Sequence, residues 1–150
     1  MWQKIGISGN IAERFIGVSV PISGKVALIS YEAVHLLDLS SPFEIVNDNT
    51  IPEGGIHYDK NSKILSYNGI DYSIIGLYGG ISTLENQEGE KIIVDTKNEC
   101  FYIRNISDEL VFEFKYDDMS GDWFAATFSD DGKYALLCLP YNLYAFEKLG

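Results

Sequence analysis

The sequence predicts an all-β protein, and two observations lead to that prediction. A polar turn that ends in Lys and runs directly into a short apolar strand occurs four times, with the lysines at Lys25, Lys63, Lys91 and Lys133. Runs of β-branched and aromatic residues alternate with Gly, Asn, Asp, Ser and Pro, and convincing helical periodicity is missing. Lysine spacings of 38, 28 and 42 residues are typical of repeated strand–turn–strand units.

The four copies predict an antiparallel meander of about four three-stranded units. The predicted strands cover residues 15–20, 26–31 and 34–39 in unit one, 55–58, 63–67 and 70–78 in unit two, 81–84, 91–96, 100–106 and 110–114 in unit three, and 123–128, 133–139 and 143–146 in unit four.

Turn residues and alternation set the limits of these units. Pro42 ends unit one, because proline cannot donate to a strand ladder. Asn68-Gly69 is the strongest short hairpin signal of the chain. Residues 110–114 alternate in polarity, which indicates a strand with one face in water.

The length of 150 residues predicts a single domain, residues 1–150. A chain of this size buries roughly two-thirds of its unfolded surface, so a hydrophobic core can hold it together. About three strands per unit favour a half-propeller or an open barrel or sandwich over a closed ring. The two edges of such an open sheet leave both a monomer and a homodimer open.

Residues 128–146 resemble the inner hairpin and third strand of a WD-repeat β-propeller blade. In that family an aromatic residue ends one strand, a polar turn closes on Asp-Gly, and a basic residue opens the next strand. Phe128, the turn at Asp131-Gly132 and Lys133 follow that order. Independently of the family, a carboxylate at position 131 caps the turn and Gly132 tolerates positive φ. The resemblance implies a binding platform rather than a reaction.

The net charge of −11 is concentrated in one part of the chain. Residues 81–131 hold 13 acidic and four basic side chains, a net charge of −9. The plain interpretation is a solvated, solubilising surface, and the sharper one is a surface for a basic protein partner. Binding to nucleic acid is not expected, because it requires clustered Lys and Arg.

The residues that carry most enzyme chemistry are sparse. Cys100 and Cys138 lie in apolar strand patterns and are predicted to be buried free thiols. His35 and His57 are the only histidines, and neither lies in a metal-ligand pattern. We therefore predict no metal, no cofactor and no catalytic residue. Neither a secretory leader nor an apolar run of membrane-spanning length is visible, so we expect a cytoplasmic location and no membrane partner.

One loop combines charge, aromatic rings and turn residues, and it is the predicted recognition loop. The predicted partner-binding residues are Tyr116, Asp117, Asp118, Asp122, Trp123, Asp130 and Asp131. The tyrosines at predicted turns, Tyr31, Tyr72 and Tyr141, are further candidates, because tyrosine is common at interface hot spots.

The predicted function is a non-catalytic, acidic protein-binding module. By analogy of class, the chain is similar to immunity proteins, small acidic inhibitors that neutralise a basic toxin such as a nuclease by covering its active site. The alternatives are a propeller-like adaptor or structural interaction module, and a carbohydrate-active enzyme with a pair of carboxylates brought together by strands.

Overall fold

The computed structural model describes residues 1–6, 14–30, 34–40, 45–48, 59, 61–67, 69–117 and 122–149, with only the backbone described for 45–48. This part of the chain contains thirteen strands and no helix. The strands are β1 (Trp2–Ile5), β2 (Phe15–Ser19), β3 (Lys25–Ser30), β4 (Val34–Asp38), β5 (Ile45–Asp48), β6 (Ile64–Tyr67), β7 (Ile70–Gly76), β8 (Lys91–Asp95), β9 (Cys100–Arg104), β10 (Leu110–Lys115), β11 (Ala125–Phe128), β12 (Tyr134–Leu139) and β13 (Asn142–Lys148).

The strands form three sheets in which every pair is antiparallel. A six-stranded sheet has the order β5-β4-β3-β2-β7-β6, a four-stranded sheet the order β1-β13-β12-β11, and a three-stranded sheet the order β10-β9-β8. One sheet is curled into a half-barrel. The predicted all-β antiparallel meander is therefore confirmed. The described residues include no helix that could span a membrane.

Unit two does not form a sheet of its own. Its hairpin, β6 and β7, joins the sheet of unit one because β7 pairs with β2, with Gly17 opposite Gly76. A Cβ on Gly76 would lie 2.7 Å from the Ile16 carbonyl oxygen, so the two strands approach closely only because this position is glycine. The predicted strand at 55–58 lies outside the described residues.

The segment 81–84, predicted as the first strand of unit three, belongs to no named strand. Its end bonds to the start of β8, where the Ile92 N–H donates to the Leu84 carbonyl oxygen at 2.9 Å. The segment also runs beside β11, where the Phe128 N–H donates to the Thr83 carbonyl oxygen at 2.7 Å. The Thr83 N–H donates to Thr127 Oγ1 at 3.0 Å. These bonds occupy part of the β11 edge, so the segment covers that edge without completing a ladder.

Strand β1 was not predicted from the sequence. It pairs with β13 along its whole length, from Trp2 opposite Lys148 to Ile5 opposite Ala145. The first and last strands of the chain therefore share one sheet. The four residues of β1, of which only Trp2 and Ile5 are apolar, do not alternate and carry too little local signal for a strand, and β13 supplies the missing partner.

The sheets stack in layers, with the four-stranded sheet in the middle. Leu136 and Cys138 of β12 face a core shared with the six-stranded sheet. Leu137 and Leu139 of the same strand face a second core, shared with the three-stranded sheet. Burial on both faces explains why β12 is a continuous apolar run rather than an alternating one. A third core lies against the other face of the six-stranded sheet, around Ile74.

Both cysteines are buried and unpaired, as predicted. Cys100 is 2% exposed and Cys138 is 0% exposed. Burial raises the pKa of the Cys138 thiol well above its usual range. Such thiols pack as small apolar side chains and have little reactivity.

Candidate functional site

The seven predicted partner-binding residues do not lie on one surface. Asp118 lies outside the described residues. Asp122 and Trp123 precede β11, whereas Asp130 and Asp131 follow it. The four residues of β11 span about 13 Å, so these two groups lie at opposite ends of that strand. The chain therefore offers two candidate surfaces.

Tyr116 is part of the core rather than of a surface. It is 7% exposed and belongs to the core between the four-stranded and three-stranded sheets. Its backbone N–H donates to the Glu99 carbonyl oxygen at 3.0 Å, which fixes the end of β10. Asp117, the next residue, is exposed. The alternation of buried and exposed side chains therefore continues for two residues past β10. The first of the two, Tyr116, is buried and the second, Asp117, is exposed.

We call the first surface the aromatic corner; it comprises Arg14, Asp122, Trp123, Phe124 and Tyr141. The Arg14 guanidinium forms a salt bridge with the Asp122 carboxylate. It also donates to Tyr141 Oη at 3.3 Å and lies 5.6 Å from the centre of that ring. The bond to Asp122, followed by the one to Tyr141, raises the pKa of Arg14.

Three stretches of chain meet to build the aromatic corner. Arg14 precedes β2, Tyr141 lies in the turn between β12 and β13, and residues 122–124 lead into β11. The Phe15 N–H donates to the Pro140 carbonyl oxygen at 2.7 Å, and this bond fixes the start of β2 against the turn. Tyr141 and Phe124 remain 52% and 43% exposed.

Trp123 underlies the aromatic corner. Its ring is half-buried and packs against the core of the six-stranded and four-stranded sheets. The indole Nε1 is buried and has no hydrogen-bond acceptor among the described residues. An unsatisfied buried donor typically costs 1–3 kcal/mol, so this position is not optimised for stability.

The turn at Asp131 has the predicted geometry. Asp131 Oδ1 accepts hydrogen bonds from Ser129 Oγ at 2.7 Å and from the Lys133 N–H at 3.0 Å. Gly132 has a φ of 74°. Burial alone would raise the pKa of Asp131, but the bonds from Lys133 and Ser129 outweigh it and lower that pKa. The carboxylate therefore stays charged and holds the turn closed.

Turns from three units meet at this second end of the molecule. The Asp130 N–H donates to the Pro21 carbonyl oxygen at 3.1 Å, and Gln87 Nε2 donates to the Asp130 carbonyl oxygen at 2.7 Å. Beside them, the Ile106 side chain lies 3.0 Å from where a Cβ on Gly89 would stand. We call this surface the acidic turn face; its exposed carboxylates are Glu85, Glu88, Asp108, Glu109, Asp130 and Asp131.

A buried carboxylate lies beneath the acidic turn face. Glu90 is 7% exposed and accepts bonds from Trp2 Nε1 at 3.2 Å, Asn86 Nδ2 at 2.9 Å and Lys148 Nζ at 2.7 Å. Burial opposes its charge, but the bonds from Lys148, Asn86 and Trp2 prevail and lower the pKa of Glu90. All of its partners are structural, so this group fastens β1 and β13 to the loop before β8.

The other sequence candidates have less to offer a ligand. Tyr72 is 3% exposed and packs in the third core, so it is not a surface tyrosine, and Tyr31 lies outside the described residues. His35 is 2% exposed in β4, and His57 also lies outside the described residues. The described part of the chain brings together no group of three His, Cys, Asp or Glu side chains that suits a metal ion.

Arg14 and Phe124 are the members of the aromatic corner that the sequence analysis missed. Arg14 is distant in sequence from the recognition loop, and only the pairing of β2 with the β12–β13 turn brings it there. The chain matches no protein-family model and no curated protein, so these comparisons assign no role to either surface.

Proposed function

We propose that the chain is a non-catalytic, acidic protein-binding module that inhibits a basic protein, such as a nuclease toxin, by covering its active site. One observation carries this proposal: most of the described acidic side chains of residues 81–131 lie on the surface. In the described part of that stretch, nine exposed carboxylates stand against three exposed lysines. The exposed lysines are Lys91, Lys97 and Lys115.

A surplus of exposed carboxylates acts at long range. Its field accelerates encounter with a positively charged partner, and this acceleration is lost as salt is added. On contact, carboxylates can pair with the Lys and Arg side chains that a nuclease uses for phosphate. Inhibition therefore needs no chemistry on the part of the chain, only a rigid surface of the right charge.

The layered fold supplies that rigidity and is compatible with a propeller-like platform. The four-stranded sheet combines β1 with the meander β11–β13, and sheets pack on both of its faces. Its buried free thiols are compatible with a reducing, cytoplasmic compartment.

The direct test is recovery of the partner followed by an activity assay. The tagged full-length chain is used to capture proteins from the native host, and the purified partner is assayed with increasing amounts of the chain. We expect one basic partner whose activity is abolished at a one-to-one ratio. A partner that binds tightly yet keeps its full activity would replace the inhibitor proposal with the adaptor alternative.

Charge variants of opposite sign provide a matched control. Glu113→Lys, Asp117→Lys and Asp130→Lys together reverse three exposed carboxylates and should slow association. Lys97→Glu with Lys115→Glu increases the negative charge and should speed it. Equal association rates for both variants would show that the acidic surface plays no part in binding.

A further inference from the structure

We propose that the aromatic corner is the anchor of the interface, and that it binds an arginine or lysine side chain of the basic partner by stacking on Tyr141 beside Asp122. This inference rests on the proposed function and adds to it a surface and a recognised group. The acidic turn face then contributes to steering rather than to contact.

The corner already binds one guanidinium, that of its own Arg14. The cation packs over the Tyr141 ring at 5.6 Å while its nitrogens reach Asp122 and Tyr141 Oη. Stacking on an aromatic face beside a carboxylate is a favourable environment for arginine. Tyr141 remains 52% exposed with Arg14 in place, so this residue is still accessible to a partner.

The exposed side chains of the corner are of the types that dominate binding energy. Tyr141 and Phe124 offer large apolar areas, Arg14 contacts Tyr141, and Trp123 packs against the core. Tyr, Trp and Arg are enriched among interface hot spots, because they combine contact area with a polar group.

Carboxylates are engaged on both surfaces, since Asp122 pairs with Arg14 and half of the carboxylates of the acidic turn face have partners, but the aromatic corner adds exposed rings. Glu88 pairs with Lys148, Glu109 accepts from Asn105 Nδ2 at 3.4 Å, and Asp131 holds its own turn. A partner would have to break these bonds to use the charges. The field of these carboxylates still attracts a basic partner from a distance.

The test uses a photoactivatable phenylalanine analogue placed at single positions of the full-length chain in the native host. Positions 124 and 141 probe the aromatic corner, position 130 probes the acidic turn face, and position 81 is a control on a side chain that is 89% exposed. We expect a cross-linked partner from 124 and 141 and none from 81. The cross-linked peptide should contain Arg or Lys.

Substitution at Tyr141 tests the energetics with the same partner after purification. Tyr141→Ala should weaken binding at least about 10-fold, whereas Tyr141→Phe keeps the ring and should retain most of the affinity. Because Tyr141 is exposed, both variants should keep the thermal midpoint of the parent. Ile81→Ala, the matched surface control, should bind like the parent.

The outcomes separate this inference from the function on which it rests. Capture of a basic partner from position 130 alone, or unchanged affinity in Tyr141→Ala, overturns the aromatic corner as anchor and leaves the proposed function standing. Equal capture from position 81 also overturns it. If no position captures a partner, both the inference and the proposed function fail.

Discussion

The indole N–H of Trp2 donates a hydrogen bond to the carboxylate of Glu90, with 3.2 Å between Nε1 and Oε2. The two residues are 88 positions apart, and both are buried. Through this bond the first strand of the chain is fixed to the loop before β8. The other tryptophan, Trp123, has its buried Nε1 without an acceptor in the described part of the chain. Substitutions of the two tryptophans can therefore be compared, because the indole N–H of Trp2 has an acceptor and that of Trp123 has none among the described residues.

We predict that Trp2→Phe lowers the free energy of unfolding by about 1–3 kcal/mol more than Trp123→Phe does. The first change leaves a buried carboxylate short of a donor, whereas the second removes a donor that has no acceptor. Urea unfolding of both variants at neutral pH measures the difference. Equal losses would mean that the Trp2–Glu90 bond contributes nothing to stability.

Glu90 should also make stability depend on pH. Its folded pKa is lowered, so its contribution is complete above the ordinary glutamate value of about 4.3 and is lost as the pH falls through the folded pKa. Glu90→Gln should therefore destabilise the protein at pH 7, by about 1–3 kcal/mol, and less at pH 3.5.

The control for Glu90 is Glu113→Gln, which changes an exposed carboxylate of β10. Its unfolding curves should follow those of the parent at both pH values. A deficit of Glu90→Gln that stays constant from pH 7 to pH 3.5 would show that the charge of Glu90 is not what stabilises the fold.

Adjacent aspartates in the β11–β12 turn should respond differently to substitution. Asp131→Ala removes the acceptor for Ser129 and for the Lys133 N–H, so we expect a loss of about 1 kcal/mol. Asp130 is engaged through its backbone N–H and carbonyl, which Asp130→Ala retains, so its stability should be within about 0.5 kcal/mol of the parent. Thermal unfolding measures both losses of stability. A larger loss for Asp130→Ala than for Asp131→Ala would contradict this assignment.

We expect the pairing of β2 with β7 to require glycine at position 76. Gly76→Ala combines a φ of 147° with a Cβ 2.7 Å from the Ile16 carbonyl oxygen, so the strands must separate and we expect a loss of more than about 3 kcal/mol. Gly69→Ala, at a φ of 77° with open space around it, should cost only about 1 kcal/mol. Chemical denaturation measures the stability of both variants. Similar losses of stability would mean that the positive φ alone, and not the close approach of the strands, requires glycine at position 76.

The local patterns of the sequence were sufficient for the meander and for one turn. Residues 110–114 alternate in polarity and form β10, and Asp131-Gly132 form the predicted turn. Strand β1 and the joining of β7 to β2 depend on partners far along the chain, for which a short segment carries no local signal. Tyr116 looked like a loop residue because strand alternation was not extended past residue 114, and the structure buries it.

The residues predicted for the site do not form a single surface. The acidic residues among them are exposed where the structure describes them, yet β11 holds Asp122 and Asp130 at opposite ends. Arg14 joins Asp122 only because β2 is fixed to the β12–β13 turn, a relationship that depends on the assembled sheets. Proximity of this kind follows from topology rather than from spacing in the sequence.

The salt dependence of the association rate with the purified partner tests the central claim, recognition of a basic protein by an acidic surface, most directly. We predict that this rate falls at least about 10-fold between 50 and 500 mM salt while the dissociation rate changes little. An association rate that is indifferent to salt over that range would contradict the claim.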